Sequence, residues 1–101
     1  MKLNPAATTG LYRIAQESLA IVFGEPDLKS VELRIKVGQG QFEMTLTHDH
    51  VGNEPVDLFG DTPELMHSLA ERGRSLGGEM SVARSDTGTG LIHRFPLGRI
   101  T

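Results

Sequence analysis

Val31-Glu32-Leu33-Arg34-Ile35-Lys36-Val37 is followed by Gly38-Gln39-Gly40 and then by Phe42-Glu43-Met44-Thr45-Leu46-Thr47. Apolar residues fall at every second position in both arms. A period of two belongs to strands, whose side chains point alternately to opposite faces. Val31, Leu33, Ile35 and Val37 are expected to form a dry face, with Glu32, Arg34 and Lys36 on a wet one. The insert of two glycines around Gln39 is short enough to fold the second arm back as a hairpin.

Upstream the period lengthens. Leu11, Ile14, Ala15, Ser18, Leu19 and Val22 recur at three- and four-residue spacing, which predicts a helix with one buried stripe from about Leu11 to Phe23. Asn4 followed by Pro5 offers an earlier start, but residues 1–9 are small and polar and are read as frayed. Gly24 is expected to close the helix in the left-handed region, and Pro26 prevents continuation.

Downstream of the hairpin, residues 48–62 carry His, Gly, Asn, Pro and Asp without periodicity and are read as a long, lid-like loop. Thr62-Pro63 opens a second helix, with Leu65, Met66, Leu69 and Leu76 on its buried side. Arg72 and Arg74 lie where the helix dipole favours cations, and Gly77-Gly78 stops it. Met80 and Val82 mark a third strand, Ser85 to Gly88 a turn, and Leu91, His93, Phe95 and Leu97 one face of a fourth. Each strand has a single apolar face, so helices should cover one side of the sheet. The expected fold is a two-layer α/β (α+β) sandwich with a mixed or antiparallel sheet, in one domain spanning 1–101.

Composition narrows the function classes. A net charge of −3 argues against non-specific nucleic-acid binding, and five aromatic residues without Trp argue against a base-stacking platform. The absence of cysteine excludes disulfides and thiolate metal sites. No apolar run approaches bilayer length and the first residues lack a signal-peptide core, so a cytoplasmic protein without a membrane partner is expected. No Ser-His-Asp order, P-loop or dinucleotide fingerprint is present.

Leu11-Tyr12-Arg13-Ile14-Ala15-Gln16-Glu17-Ser18-Leu19 resembles the start of the catalytic domain in a large subfamily of bacterial sensor histidine kinases. Glu71-Arg72, Leu76-Gly77-Gly78-Glu79-Met80-Ser81-Val82, Thr87-Gly88-Thr89 and Phe95-Pro96-Leu97 resemble later segments of the same domain, in the same order. The resemblance covers roughly residues 11–97. It implies the Bergerat (GHKL) ATP-binding α/β sandwich shared with gyrase and MutL, and a place in two-component signalling.

The family binds Mg-ATP through short boxes, and several depart from the pattern here. The resemblance makes Glu17 the would-be catalytic base, but Ile21 stands where the family's magnesium-ligating Asn lies four residues on. Magnesium needs hard oxygen ligands, and isoleucine offers none. Glu25 stands where a His commonly follows. Asp49 matches the adenine-binding Asp and Gly52 the second glycine of its box, with His50 at the first glycine. Glu64 replaces the lid glycine, and Asp86 the first glycine of the last box, where Gly88 and Thr89 match. The adenine end therefore keeps Asp49, Gly52, Gly88 and Thr89, while the metal and phosphate end loses its residues and gains acidic groups that would repel a triphosphate.

Plainer readings stand beside these. Asp49 also suits a local turn bond, and Glu17 an ordinary helix charge. His48-Asp49-His50 is too small a set to stand as a metal site, and none is expected. His93 is read as buried and hydrogen-bonded, and His67 as solvent-facing. Val56, Leu58 and Phe59 either fold over an empty pocket or face a partner. In histidine kinases the phospho-acceptor helix precedes this domain, and residues 1–10 leave no room for it, so action on an acceptor is expected only in trans.

The leading expectation is a non-catalytic module that binds a kinase, a phosphotransfer protein or a response regulator, with homodimerisation left open and no cofactor needed. The alternative is an active domain that binds Mg-ATP and phosphorylates a separate protein, as a sensor or anti-sigma-type kinase does. A third is part of a histidine phosphotransferase.

Overall fold

The structure, a computed structural model, describes residues 2–50, 62–85 and 88–101, with the backbone alone at 50, 84, 85, 88 and 89. The elements run α1 (Pro5–Phe23), β1 (Leu28–Gly38), β2 (Gln41–His50), α2 (Pro63–Ser75), β3 (Glu79–Ser85), β4 (Gly88–Pro96) and α3 (Leu97–Ile100). The strands form one sheet in the order β1-β2-β4-β3, with every neighbour antiparallel. This is an α+β fold, with a four-stranded antiparallel sheet and helices packed against it.

The hairpin forms as its alternation demands. Gln39 and Gly40 both take positive φ, at 52° and 76°, and Gly38 pairs with Gln41. Positive φ at both central residues is the two-residue turn whose twist matches the flanking strands. Paired side chains share a face, so the register carries one surface across the sheet. Phe42 pairs with Phe95, Met44 with His93 and Leu46 with Leu91, and all six are buried. Met80 and Val82 extend this face into β3. Phe42 meets Phe95 edge-on, with ring centroids 6.3 Å apart. From α1, Ala7, Leu11, Ile14, Ser18 and Val22 descend onto this surface at the spacing of one helical face. The buried Ser18 hydroxyl donates to the Ile14 carbonyl at 2.7 Å, which satisfies it inside the helix.

Several expectations are corrected. Residues 2–9 do not fray into solvent. Asn4 caps α1, its Oδ1 accepting from the Ala7 amide at 2.7 Å, and its own backbone amide donates to the Ile100 carbonyl at 2.8 Å. Ala7 is fully buried beneath that tie. Gly24 closes α1 with a right-handed φ of −73°, and the left-handed glycine is Gly77, at 78°, just beyond α2. Leu97 leaves the fourth strand and opens α3, whose Ile100 is fully buried in the core. β2 continues to His50, so residues 48–50 are strand and not loop; residues 51–61, with Gly52, Val56, Leu58 and Phe59, lie outside the described residues.

The dry face of β1 is the largest departure. Leu28 and Val31 pack against the core, but Leu33, Ile35 and Val37 are 38%, 56% and 47% exposed. They face the helix side, yet among the described residues β1 is an outer strand and the helices cover only its beginning. Leu65, expected to be buried on α2, is 54% exposed. Its helix turn stands at the rim of the α1–α2 contact.

Candidate functional site

Glu17, Ala20 and Ile21 lie on one turn of α1, and Leu65, Ser68 and Leu69 on one turn of α2. Spacings of three and four place each trio on a single helix face. Where the two faces meet they leave a groove of about 320 Å³ lined by these six residues. Two of them, Glu17 and Ile21, are positions at which the family resemblance puts catalytic chemistry.

The groove's walls are mainly aliphatic. Ile21 packs against the core from its flank, and Leu69 is fully buried at its floor. Glu17 is its charged member, and that charge is engaged. Arg72 donates to the Glu17 carboxylate at 3.0 Å from the next turn of the same α2 face. The two side chains are 34% exposed for Arg72 and 40% for Glu17, so water screens the pair and it contributes at most about 1 kcal/mol to stability. Its geometric effect is clearer: the charge-assisted hydrogen bond fixes the orientation of the Glu17 carboxylate against α2. The Arg72 Nε is buried without a hydrogen bond among the described residues, which leaves the guanidinium pinned at one end.

Of the adenine-end residues, Asp49 does not face this groove. Along β2, Phe42, Met44, Leu46 and His48 are buried toward the helices, while Asp49 belongs to the alternate, outer set and is exposed. Asp49 therefore lies on the sheet face opposite α1 and Glu17. Gly88 and Thr89 begin β4 opposite Ser85 and Arg84 of β3, not in a free turn. Glu64 is exposed in the first turn of α2, beside Leu65, and Glu25 is half-buried just past α1. Gly52 and Asp86 lie outside the described residues. The sequence reading assigned Arg72 to the helix dipole and missed its part in this groove. Its place seven residues after Leu65, on the same helix face, carried the signal.

The histidines divide. His67 is solvent-facing on α2, with Glu71 at 4.0 Å. His48 is buried and the alternation of β2 sets it on the face opposite Asp49. Among the described residues, no group of three or more His, Asp or Glu side chains lies close enough to hold a metal ion. His93 is 1% exposed, as expected, but neither ring nitrogen has a hydrogen-bond partner among the described residues, contrary to the expectation. Burial lowers its pKa from 6.5 to about 4. It stacks on Phe95, ring centroids 6.3 Å apart and planes within 15°.

Among the described residues, no helix is long and apolar enough to cross a membrane. No protein-family model matches the chain, and no curated protein sequence matches it significantly.

Proposed function

We propose that this chain is a histidine-kinase-like domain whose nucleotide chemistry has lapsed, and that it works as a protein-binding module in two-component signalling. The observation that carries this reading is the α1–α2 groove. At the would-be base, Glu17 is held by Arg72, and at the would-be magnesium ligand, Ile21 contributes hydrocarbon. An aliphatic groove between two helices, rimmed by the exposed Leu65, suits an apolar side chain from a partner better than a triphosphate. Glu64 and Glu25 add negative charge near the same helix ends, which disfavours phosphates further. The partner classes that follow are a sensor kinase, a phosphotransfer protein or a response regulator. A trans-acting kinase would need another oxygen ligand to stand in for Ile21.

Amide chemical-shift mapping tests this reading. The labelled domain would be titrated with isolated receiver and histidine-phosphotransfer domains. Shifts are expected to cluster at Ala20, Ile21, Leu65 and Ser68. Leu65→Asp, at an exposed position, is expected to weaken binding at least tenfold while leaving the spectrum folded. Shifts confined to the outer sheet face, indifferent to Leu65→Asp, would reject the groove as the docking site.

A further inference from the structure

The outer edge of β1, which has no strand beside it among the described residues, carries an inference independent of the groove. β1 is an outer strand of eleven residues, and among the described residues no helix covers it beyond Val31. Natural edge strands are usually kept short, bulged, or given inward-pointing charges, because their unpaired backbone groups are a template for another strand. Here the one irregularity lies between Leu28 and Ser30, at the start of β1. The inward-pointing residues past it, Leu33, Ile35 and Val37, are apolar and 38–56% exposed. The opposite edge differs: β3 has seven residues, and its Met80 and Val82 pack against the core.

The charges on the outward face of β1 indicate what pairs with it. They run Glu32, Arg34, Lys36, and Arg34 already donates to Glu32 at 2.8 Å within the strand. In antiparallel pairing of two identical strands, directly opposed residues must point to the same face, so the twofold axis passes through a residue. An axis at Glu32 or at Arg34 sets a charge against its own copy. An axis at Ile35 sets Arg34 against Lys36. An axis at Leu33 avoids every like pair. It places Leu33 on its own copy, Ile35 beside Val31, and Glu32 opposite Arg34 twice, which closes a ring of four alternating charges. Cross-strand pairs of these kinds are the units that stabilise a sheet.

We propose that β1 is a self-association edge, joining two copies antiparallel about Leu33 into one continuous eight-stranded sheet. The dimer covers the apolar strip that each copy leaves open, and it leaves the α1–α2 groove of both copies accessible on the helix side.

Sedimentation equilibrium of the full chain tests this, with circular dichroism to confirm folding. The wild type is expected at twice the 11.0 kDa chain mass. Leu33→Asp, which sets carboxylates against each other on the axis, is expected to sediment as a monomer. Glu32→Lys and Arg34→Glu are each expected to lose the dimer alone and to regain it when mixed. In the mixed dimer the introduced lysine of one copy meets the introduced glutamate of the other, and the unchanged Arg34 of the first meets the unchanged Glu32 of the second. A wild type that stays monomeric at high micromolar concentration overturns the proposal. So does a dimer indifferent to Leu33→Asp, or charge variants that fail to rescue each other when mixed.

Discussion

Gly78→Ala is expected to destabilise the domain by about 3 kcal/mol or more, the largest effect of any glycine-to-alanine change among the described residues. Gly78 lies between the end of α2 and the start of β3, and its amide donates to the Gly73 carbonyl at 2.9 Å. A Cβ there would overlap the Phe95 ring at Cδ1 and come within 2.7 Å of the Arg94 carbonyl oxygen. Neither neighbour can yield cheaply. Phe95 is fully buried against Phe42 and His93, and the Arg94 backbone is fixed by pairing with both β2 and β3. Gly73 gives the contrast, because a Cβ there meets nothing within 4 Å among the described residues. Gly73→Ala, inside α2, is expected to stabilise by about 0.5–1 kcal/mol through helix propensity alone. Urea unfolding measures both. The midpoint should fall for Gly78→Ala and rise for Gly73→Ala, with slopes unchanged.

His93→Leu is expected to raise stability at neutral pH and to remove an acid-side loss. Two buried ring nitrogens without partners among the described residues cost on the order of 1–3 kcal/mol, and a leucine of similar volume removes that cost. The pH effect has a definite sign. With the folded pKa lowered from 6.5 to about 4, the unfolded chain binds more protons between those values. Stability from this group is complete above pH 6.5, falls as pH drops through 6.5 toward 4, and does not change further below 4. The loss totals roughly 3 kcal/mol. The ring's neighbours in the sheet are Met44, Met80, Leu91 and Phe95, none of them charged. Carboxylates also titrate in this range, so the readout is the difference between wild type and His93→Leu. That difference should widen steadily from pH 7 to pH 4. A constant difference would show that His93 gains a partner or a proton in the native state.

The layer plan was legible because period alone determines it. The α1 stripe from Leu11 to Val22 and the alternation of the β1–β2 hairpin each encode an element and its inner face. Coverage was not legible. Alternation shows that Leu33, Ile35 and Val37 share a face but not that β1 stands at the edge with helices over only its start. The short α3 escaped because Leu97 continues the strand's apolar rhythm, and only packing turns the chain there to bury Ile100. Asn4 and Ile100 are tied across almost the full chain length, a contact that local pattern cannot foresee.

At the candidate site, the resemblance pointed to Glu17 and Ile21, and the structure places both in one groove. It did not point to Arg72, because that ion pair joins residues 55 apart in sequence. Nor could it orient Asp49. Read as loop, Asp49 was free to turn toward a pocket; as part of β2, its side is set by strand alternation, away from Glu17.

Calorimetric titration of the full chain with ADP and with ATP, each with and without magnesium, tests whether the nucleotide chemistry has lapsed. No heat of binding is expected in any of the four titrations. Stoichiometric, magnesium-dependent binding with micromolar affinity would contradict this, and would mean that another oxygen ligand serves where Ile21 stands.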